Sequence, residues 1–284
     1  MPDKKMFFAY FDLLGYKDVN LGSNPSKQPS MQELARFTDL MQGAIEHSLT
    51  DELKFAKDGR SVIIDVDAVK IQTIVFSDTI IFFTRGDTVK DYLEVLKVAY
   101  TFNWRSLQVG FPSRGIVYYG DFNLISGPVP KANGQNIIQY TLGYGPAGME
   151  AHLKCDLQEW AGACIDKSAY EILAADPDGK KVLDNVSVDY EIPFKNGDYK
   201  FFSSFINKYI YARPHKLIKR FGVFSNRALR LYQNVGETKF IFESVESHFK
   251  AFGKQIKGSV VDKFENTKRF ITHLSELTKA MEEK

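Results

Sequence analysis

An unbroken apolar and aromatic run near the N-terminus, Met6 to Phe11, places the strongest constraint on the fold. A strand that is apolar at every position is typical of a central strand covered on both faces of a sheet. The run ends at Asp12, and a carboxylate beside a buried strand is costly unless a partner compensates it. Asp12 precedes Leu-Leu-Gly, so two interpretations are open: an aspartate that turns the chain, or a metal ligand beside a glycine turn whose amides could face phosphates.

Hydrophobic periodicity predicts an ordered series of strands and helices after that first strand. In order, the sequence predicts a helix at 30–49, two strands joined by a very tight turn at Ser77-Asp78, a helix at 88–104, a strand within 108–125, a helix within 144–160, and a further strand and helix near 162–173. The stretch SGPVPKANGQN reads as an exposed excursion. This order predicts an α+β fold with a ferredoxin-like βαββαβ core and added elements.

Asp78 repeats the pattern of Asp12, because it also interrupts a strongly apolar stretch, IVFSDTIIFF. In a βαββαβ core the first and third strands are neighbours, so the hairpin turn would bring Asp78 to face Asp12. Two close carboxylates repel, and a shared proton or a divalent cation relieves that repulsion. Such a cation would leave positions open for substrate phosphates, which suits phosphoryl or nucleotidyl transfer. Two independent turn aspartates remain the alternative.

Composition argues against several other classes of protein. Lys plus Arg number 37 against 35 for Asp plus Glu, a net charge of +2, so the chain has no global field of the kind that nucleic-acid binders show. Cys155 and Cys164 form no spaced disulfide or metal pattern, which suits a reducing compartment. The first residues, MPDKKMFFAYFD, place acidic residues where a signal peptide needs an apolar core, and no apolar run approaches 18 residues, so we expect a cytoplasmic protein without membrane insertion.

The sequence changes character near residue 205, which predicts a domain at 1–205 and a second segment at 206–284. The stretch from Arg213 to Arg230 is basic and aromatic, and the end of the chain is amphipathic and helical. Nucleic-acid grooves interleave such residues, but so do solvated helical faces and dimer contacts.

Five motifs follow one another along the chain: YFDLLGY, FSDT, RGIVYYG, GYGPAGMEAHL and GACIDKSAY. In this order they resemble the class III nucleotidyl cyclases. The family's first metal-binding strand end resembles YFDLLGY, its hairpin resembles FSDT, and its next strand resembles RGIVYYG, with Ile116 where the family has an inner glycine. The family's glycine-opened helix and following strand resemble GYGPAGMEAHL and GACIDKSAY. The amino-acid sequence of these motifs is most similar to that of the bacterial pyrimidine cyclases of Pycsar antiphage defence, and the resemblance covers roughly residues 6 to 205.

The resemblance implies a role for each matched residue. Asp12 and Asp78 would bind two divalent ions per site, Mg²⁺ or Mn²⁺, with the Leu13 carbonyl as a further ligand. The turn amides of Leu14, Gly15 and Tyr16 would cradle the triphosphate. Two cations, Arg114 and Lys195, would contact its phosphates.

The family helix normally carries an Asn and an Arg, and here those positions hold Met149 and Leu153. Either Lys154 or a residue elsewhere would then supply the transition-state cation, or the chain would be a poor catalyst. No counterpart of the Lys and Asp pair that recognises adenine is evident, which favours another base.

The resemblance implies a homodimer with shared active sites that converts UTP or CTP to the 3′,5′-cyclic monophosphate and pyrophosphate. A separate cyclic-nucleotide-responsive effector would read the product in antiphage defence. Three alternatives stay open: an ATP-using adenylate cyclase of the same class, a degenerate cyclase fold that only binds a nucleotide or a partner, and a nucleic-acid binder that uses the basic stretch.

Overall fold

A seven-stranded mixed sheet organises the protein in the computed structural model. The structure describes residues 5–16, 30–49, 53–55, 62–64, 69–130, 136–195, 205–210, 245–247, 249–251 and 254–282. The strands are β1 (Lys5–Leu13), β2 (Leu53–Phe55), β3 (Val62–Ile64), β4 (Gln72–Phe76), β5 (Thr79–Phe83), β6 (Ser113–Asp121), β7 (Asn123–Pro130), β8 (Asn136–Tyr144), β9 (Ala163–Asp166), β10 (Ser187–Asp189) and β11 (Phe205–Ile210). The helices are α1 (Met31–Leu49), α2 (Val89–Gln108), α3 (Pro146–Asp156), α4 (Lys167–Ala174), α5 (Pro177–Val186) and α6 (Ser259–Glu282).

The strand order in the main sheet is β10-β11-β9-β6-β1-β5-β4. β1 pairs antiparallel with both β5 and β6, and β4 pairs antiparallel with β5. The first and third strands of the core are therefore neighbours, so the predicted α+β fold with a ferredoxin-like βαββαβ core is confirmed. β9, β11 and β10 extend the sheet beyond β6 as added strands, and β9 runs parallel to β6.

β1 is buried on both faces, which explains why its sequence shows no alternation of apolar and polar residues. Phe7 and Phe11 lie in the core formed with α2 on one face of the sheet. Phe8 and Tyr10 lie in a second core on the opposite face, where they pack with Ala151 of α3. Because alternate residues of a strand point to the same face of the sheet, Asp12 lies on the same face as Tyr10 and α3.

α2 shows why the sequence forms a helix where the periodicity predicts one. Thr88 and Asp91 form a capping box, in which each side chain accepts from the backbone N–H of the other residue. Val95, Leu96 and Ala99 are buried on its inner face. A capped start and an apolar stripe are sufficient local signals for this helix.

The region of the predicted excursion contains strand structure that the sequence did not predict. β7 and β8 pair as a separate two-stranded antiparallel sheet, and β2 and β3 form another. Residues 126–130 and 136 of SGPVPKANGQN, predicted as an exposed excursion between strand and helix, are strand residues of this separate pair, and residues 131–135 lie outside the described part of the chain.

The end of the chain packs against the sheet domain. Phe270 of α6 belongs to the same core as Trp160 and Phe8, and Phe264 packs with Leu107 and Ala161. The predicted boundary near residue 205 stays a prediction. The basic stretch from Arg213 to Arg230 lies outside the described residues. Among the helices in the described ranges, none has both the length and the apolar content needed to cross a membrane.

Candidate active site

The end of β1 and the β4–β5 hairpin turn meet at one edge of the sheet. Asp12 pairs in register with Thr79, and the N–H of Leu13 donates to the backbone carbonyl of Asp78 at 2.9 Å. Ser77 has a positive φ of 57°, so the two-residue turn is tight, as predicted from the sequence. The structure therefore brings Asp12 and the turn that carries Asp78 together.

Arg114 compensates the buried charge of Asp12. The two residues are direct partners in the β1–β6 register. The guanidinium Nε donates to Asp12 Oδ2 at 2.7 Å, and the terminal nitrogen Nη2 lies 2.6 Å from the same oxygen. Arg114 is 8% exposed, so water screens this ion pair weakly.

The same guanidinium also holds the C-terminal end of α3. Its Nη2 lies 2.6 Å from Asp156 Oδ1, and Nη1 donates to the Asp156 backbone carbonyl at 2.5 Å. One cation thus joins two strands and a helix end.

Electrostatics at this edge favour added positive charge. Burial raises the pKa of Asp12, the Arg114 guanidinium opposes that rise, and the negative charge of Asp78 adds to it. A carboxyl whose pKa is raised by burial and by a second carboxyl is stabilised in its ionised form by a cation. Added positive charge would therefore be favourable at Asp12, beside the turn that carries Asp78.

Lys195 reaches the same cluster through Asp156. The Lys195 ammonium donates to Asp156 Oδ2 at 3.0 Å, and the backbone N–H of Lys195 donates to the Leu157 carbonyl at 2.9 Å. Burial raises the pKa of Asp156, but the hydrogen bond from Lys195 and the charge of Arg114 outweigh that effect, so the net pKa is lowered. Asp156 is the residue that the sequence analysis missed, because no motif marks it.

The glycine turn follows β1 directly. Gly15 has a φ of 76°, a conformation that favours glycine. The Leu14 N–H donates to the Pro112 carbonyl at 2.8 Å, so this predicted phosphate-binding amide is directed into the protein in this structure. Gly15 and Leu14 line a small open cleft, and Tyr16 packs at the edge of the main core. The phosphate-binding role of this turn stays a prediction.

The structure removes Lys154 as the missing transition-state cation. Its ammonium lies 2.5 Å from Asp166 Oδ2 and over the ring of Tyr118, with both charged side chains almost fully buried. Lys154 is therefore turned into the protein between α3 and β9. Met149 and Leu153, which stand at the family's Asn and Arg positions, are 61% and 48% exposed on the outer side of α3.

The residues at the site fit a hard divalent cation in their chemistry. Asp12 and Asp78 offer carboxylate oxygens, the ligands that Mg²⁺ and Mn²⁺ prefer. Among the described residues, no group of three or more His, Cys, Asp and Glu side chains is placed to hold a metal. Further ligands would have to come from backbone oxygens, water or a bound phosphate, as is usual for Mg²⁺.

Comparison with solved structures finds cyclase domains at low similarity. The catalytic core of a rhodopsin-guanylyl cyclase with converted specificity, in complex with ATPαS, has a TM-score of 0.43 and 9% identity over 74% of this chain and 96% of that one. A class III adenylyl cyclase-like ATP-binding protein from Pseudomonas aeruginosa has a TM-score of 0.40 and 10% identity over 77% of this chain and 40% of that one.

A dimeric guanylyl cyclase domain of the RhoGC fusion protein from Blastocladiella emersonii has a TM-score of 0.38 and 8% identity over 61% of this chain and 84% of that one. No family profile and no curated protein matches the sequence. Similarity this distant does not identify an activity, so the function has to rest on the chain's own residues.

The two aspartates differ in what they do for the fold, and this difference is testable. Asp12→Asn leaves Arg114 with one carboxylate partner, so we expect the free energy of unfolding without metal to fall by about 2 kcal/mol. Asp78→Asn removes a like charge near Asp12 and should leave that free energy unchanged or slightly higher. Urea denaturation monitored by circular dichroism measures both variants. Equal destabilisation by the two changes would contradict the assigned pairing.

Proposed function

We propose that the protein is a nucleotide cyclase that converts a pyrimidine nucleoside triphosphate, UTP or CTP, to its 3′,5′-cyclic monophosphate and pyrophosphate. The observation that carries the proposal is the meeting of Asp12 with the Asp78 hairpin turn, beside a glycine turn and Arg114. Two carboxylates, a guanidinium and a turn that lacks a side chain are the groups that metal-assisted transfer from a triphosphate needs.

Asp12 and Asp78 would hold the divalent ions, Mg²⁺ or Mn²⁺. When bound, these ions lower the pKa of the attacking ribose 3′-hydroxyl and neutralise charge on the leaving pyrophosphate. The chain's own residues bind and orient the substrate. The positive φ of Gly15 fixes the turn beside β1, and the amides of Gly15 and Tyr16 would face the triphosphate.

Arg114 and Lys195 would hold the β- and γ-phosphates. Arg114 donates to Asp12 and Asp156 in this structure, and Lys195 donates to Asp156. These carboxylates position both cations at one edge before any substrate arrives. A guanidinium fork matches phosphate geometry, and these donors would exchange their present acceptors for phosphate oxygens when the triphosphate binds.

An exposed apolar surface beside the site supports a homodimer with shared active sites. We call it the open face and define it by Phe76, Met149 and Leu153, which are 78%, 61% and 48% exposed. Phe76 pairs with Thr79 and so lies on the same side of the sheet as Asp12 and α3. The Tyr10 hydroxyl forms hydrogen bonds with both Thr79 and His152, and so connects the hairpin with α3.

Large exposed apolar side chains next to a charged edge are typical of a protein interface. A second copy that covers the open face would place its own groups beside Asp12. Groups from that copy could supply the transition-state cation that Lys154, Met149 and Leu153 do not. The alternative of a catalytically degenerate nucleotide-binding module rests on the same two apolar residues.

The pyrimidine substrate and the bacterial antiphage role, with a separate effector that reads the product, rest on the residues of the motifs alone. The proposed cytoplasmic location rests on Cys155 and Cys164, which form no spaced disulfide or metal pattern. An ATP-using cyclase of the same class would use the same metal-binding and phosphate-binding residues of this chain. The four triphosphates distinguish these possibilities.

Purified protein incubated with ATP, GTP, CTP or UTP and Mn²⁺ should form a cyclic monophosphate and pyrophosphate from a pyrimidine triphosphate, identified by mass spectrometry. Asp78→Asn should abolish product while leaving the unfolding midpoint level. Product from ATP alone would replace the pyrimidine assignment with an adenylate cyclase. Binding of triphosphates without any product would favour the degenerate module.

The open face predicts how assembly affects activity. Phe76→Glu places a charge in the proposed interface, so we expect monomers by light scattering and loss of most turnover. Met31→Glu is the matched control, because Met31 is 81% exposed on α1, the helix that packs on the other face of the sheet. A Phe76→Glu variant that is monomeric yet fully active would exclude a shared site.

A further inference from the structure

The C-terminal segment packs directly on the glycine turn of the candidate site. Lys254 is 8% exposed, and its ammonium donates to the Gly110 carbonyl at 3.0 Å. Its aliphatic chain lies against Gly15, where an added Cβ would come within 2.8 Å of Lys254 Cδ. Glycine at position 15 therefore serves this close packing as well as the positive φ.

A second set of contacts fixes α6 to the loop after α3. Asn266 Nδ2 donates to the Glu159 carbonyl at 2.8 Å, and the Ala161 N–H donates to Thr267 Oγ1 at 2.8 Å. The ring of Phe270 meets Trp160 edge-on, with centroids 4.6 Å apart. This loop follows Asp156 directly, so α6 is held beside the residues that position Arg114.

A small open cleft lies between these two anchor points. It is lined by Leu14 and Gly15 from the turn after β1, and by Phe249, Lys254, Gln255, Val260 and Lys263 from the C-terminal segment. Two distant parts of the chain therefore form the cleft: the glycine turn lies on one side, and Lys263 of α6 lies on the other.

The side chain of Lys263 lines this cleft and pairs only loosely with a carboxylate. Its ammonium lies 3.9 Å from Glu159 Oε1, beyond hydrogen-bond distance, and the side chain is 15% exposed. Burial lowers the pKa of Lys263, Glu159 opposes that effect, and the charges of Arg114 and Lys195 lower the pKa further. Arg114 and Lys195 both pair with Asp156, and Lys263 lies opposite Glu159, which follows Asp156 by three residues.

We propose that Lys263 is a phosphate-binding residue, which the C-terminal helix contributes opposite the Gly15 turn to hold the terminal phosphate of the substrate triphosphate. The inference rests on the proposed function, because it concerns the same nucleotide site. An ammonium that lines an open cleft and lies beyond hydrogen-bond distance of its carboxylate neighbour suits a group with several negative charges. The C-terminal segment is then part of the active site.

The test compares a triphosphate with a monophosphate. Titration calorimetry of the full chain with Mn²⁺ would measure the affinity for two kinds of ligand. The triphosphates are the α,β-methylene analogues of UTP and CTP, and the monophosphates are UMP and CMP. Lys263→Gln should weaken binding of the triphosphate analogue roughly tenfold to a hundredfold, and leave the monophosphate within about twofold. Lys263→Arg, which keeps the charge, should recover most of that affinity.

Two further variants separate phosphate binding from a structural role. Lys268→Gln is the matched control, because Lys268 lies on the same helix and pairs with Glu265 outside the cleft lining. It should not change the affinity for either ligand. Glu159→Gln removes the anion that competes for Lys263, so triphosphate affinity should stay level or rise.

An unchanged triphosphate affinity in Lys263→Gln would overturn the inference, and so would equal losses for triphosphate and monophosphate. A fall in triphosphate affinity in Glu159→Gln would also count against it, since Lys263 would then act only through that pair. A wild-type protein that binds the analogue but forms no cyclic product would overturn the proposed cyclase and leave the role of Lys263 intact.

Discussion

The ion pair between Asp12 and Arg114 is the interaction on which the rest of this architecture depends. β1 is covered on both faces, so a carboxylate at its end needs a partner close by. Arg114 supplies that partner from the directly opposite position on β6, and its remaining donors hold Asp156 at the end of α3. One guanidinium therefore fixes a strand register and a helix end while it presents positive charge at the sheet edge. The fold and the candidate site share this interaction.

Much of this arrangement can be predicted from sequence because its signals are local. The continuous apolar run of β1, the tight turn at Ser77-Asp78 and the capped, periodic α2 each identify their element without knowledge of the rest of the chain. Strand order then follows from the βαββαβ pattern, and it brings Asp12 to the hairpin turn. These features were predicted correctly because burial on two faces and turn geometry leave few alternatives.

The other features depend on contacts between distant parts of the chain. Asp156 has no motif, and its role is visible only where α3 ends beside Arg114. Lys154 was a candidate cation by position, but its pairing with Asp166, twelve residues later, turns it inward. The β7–β8 pair lies in a stretch rich in Gly, Pro and Asn, where turn composition concealed strand structure. Lys263 lies far from the motifs in sequence, and only the packing of α6 brings it to the cleft.

The central claim is that Asp12 and Asp78 together bind divalent metal with a triphosphate. Electron paramagnetic resonance of Mn²⁺ with wild-type protein and a non-reactive α,β-methylene triphosphate tests it most directly. We predict two bound Mn²⁺ ions per site, close enough for magnetic coupling, and loss of that coupling in Asp78→Asn. A single uncoupled ion, or a coupled pair that persists in Asp78→Asn, would contradict the account.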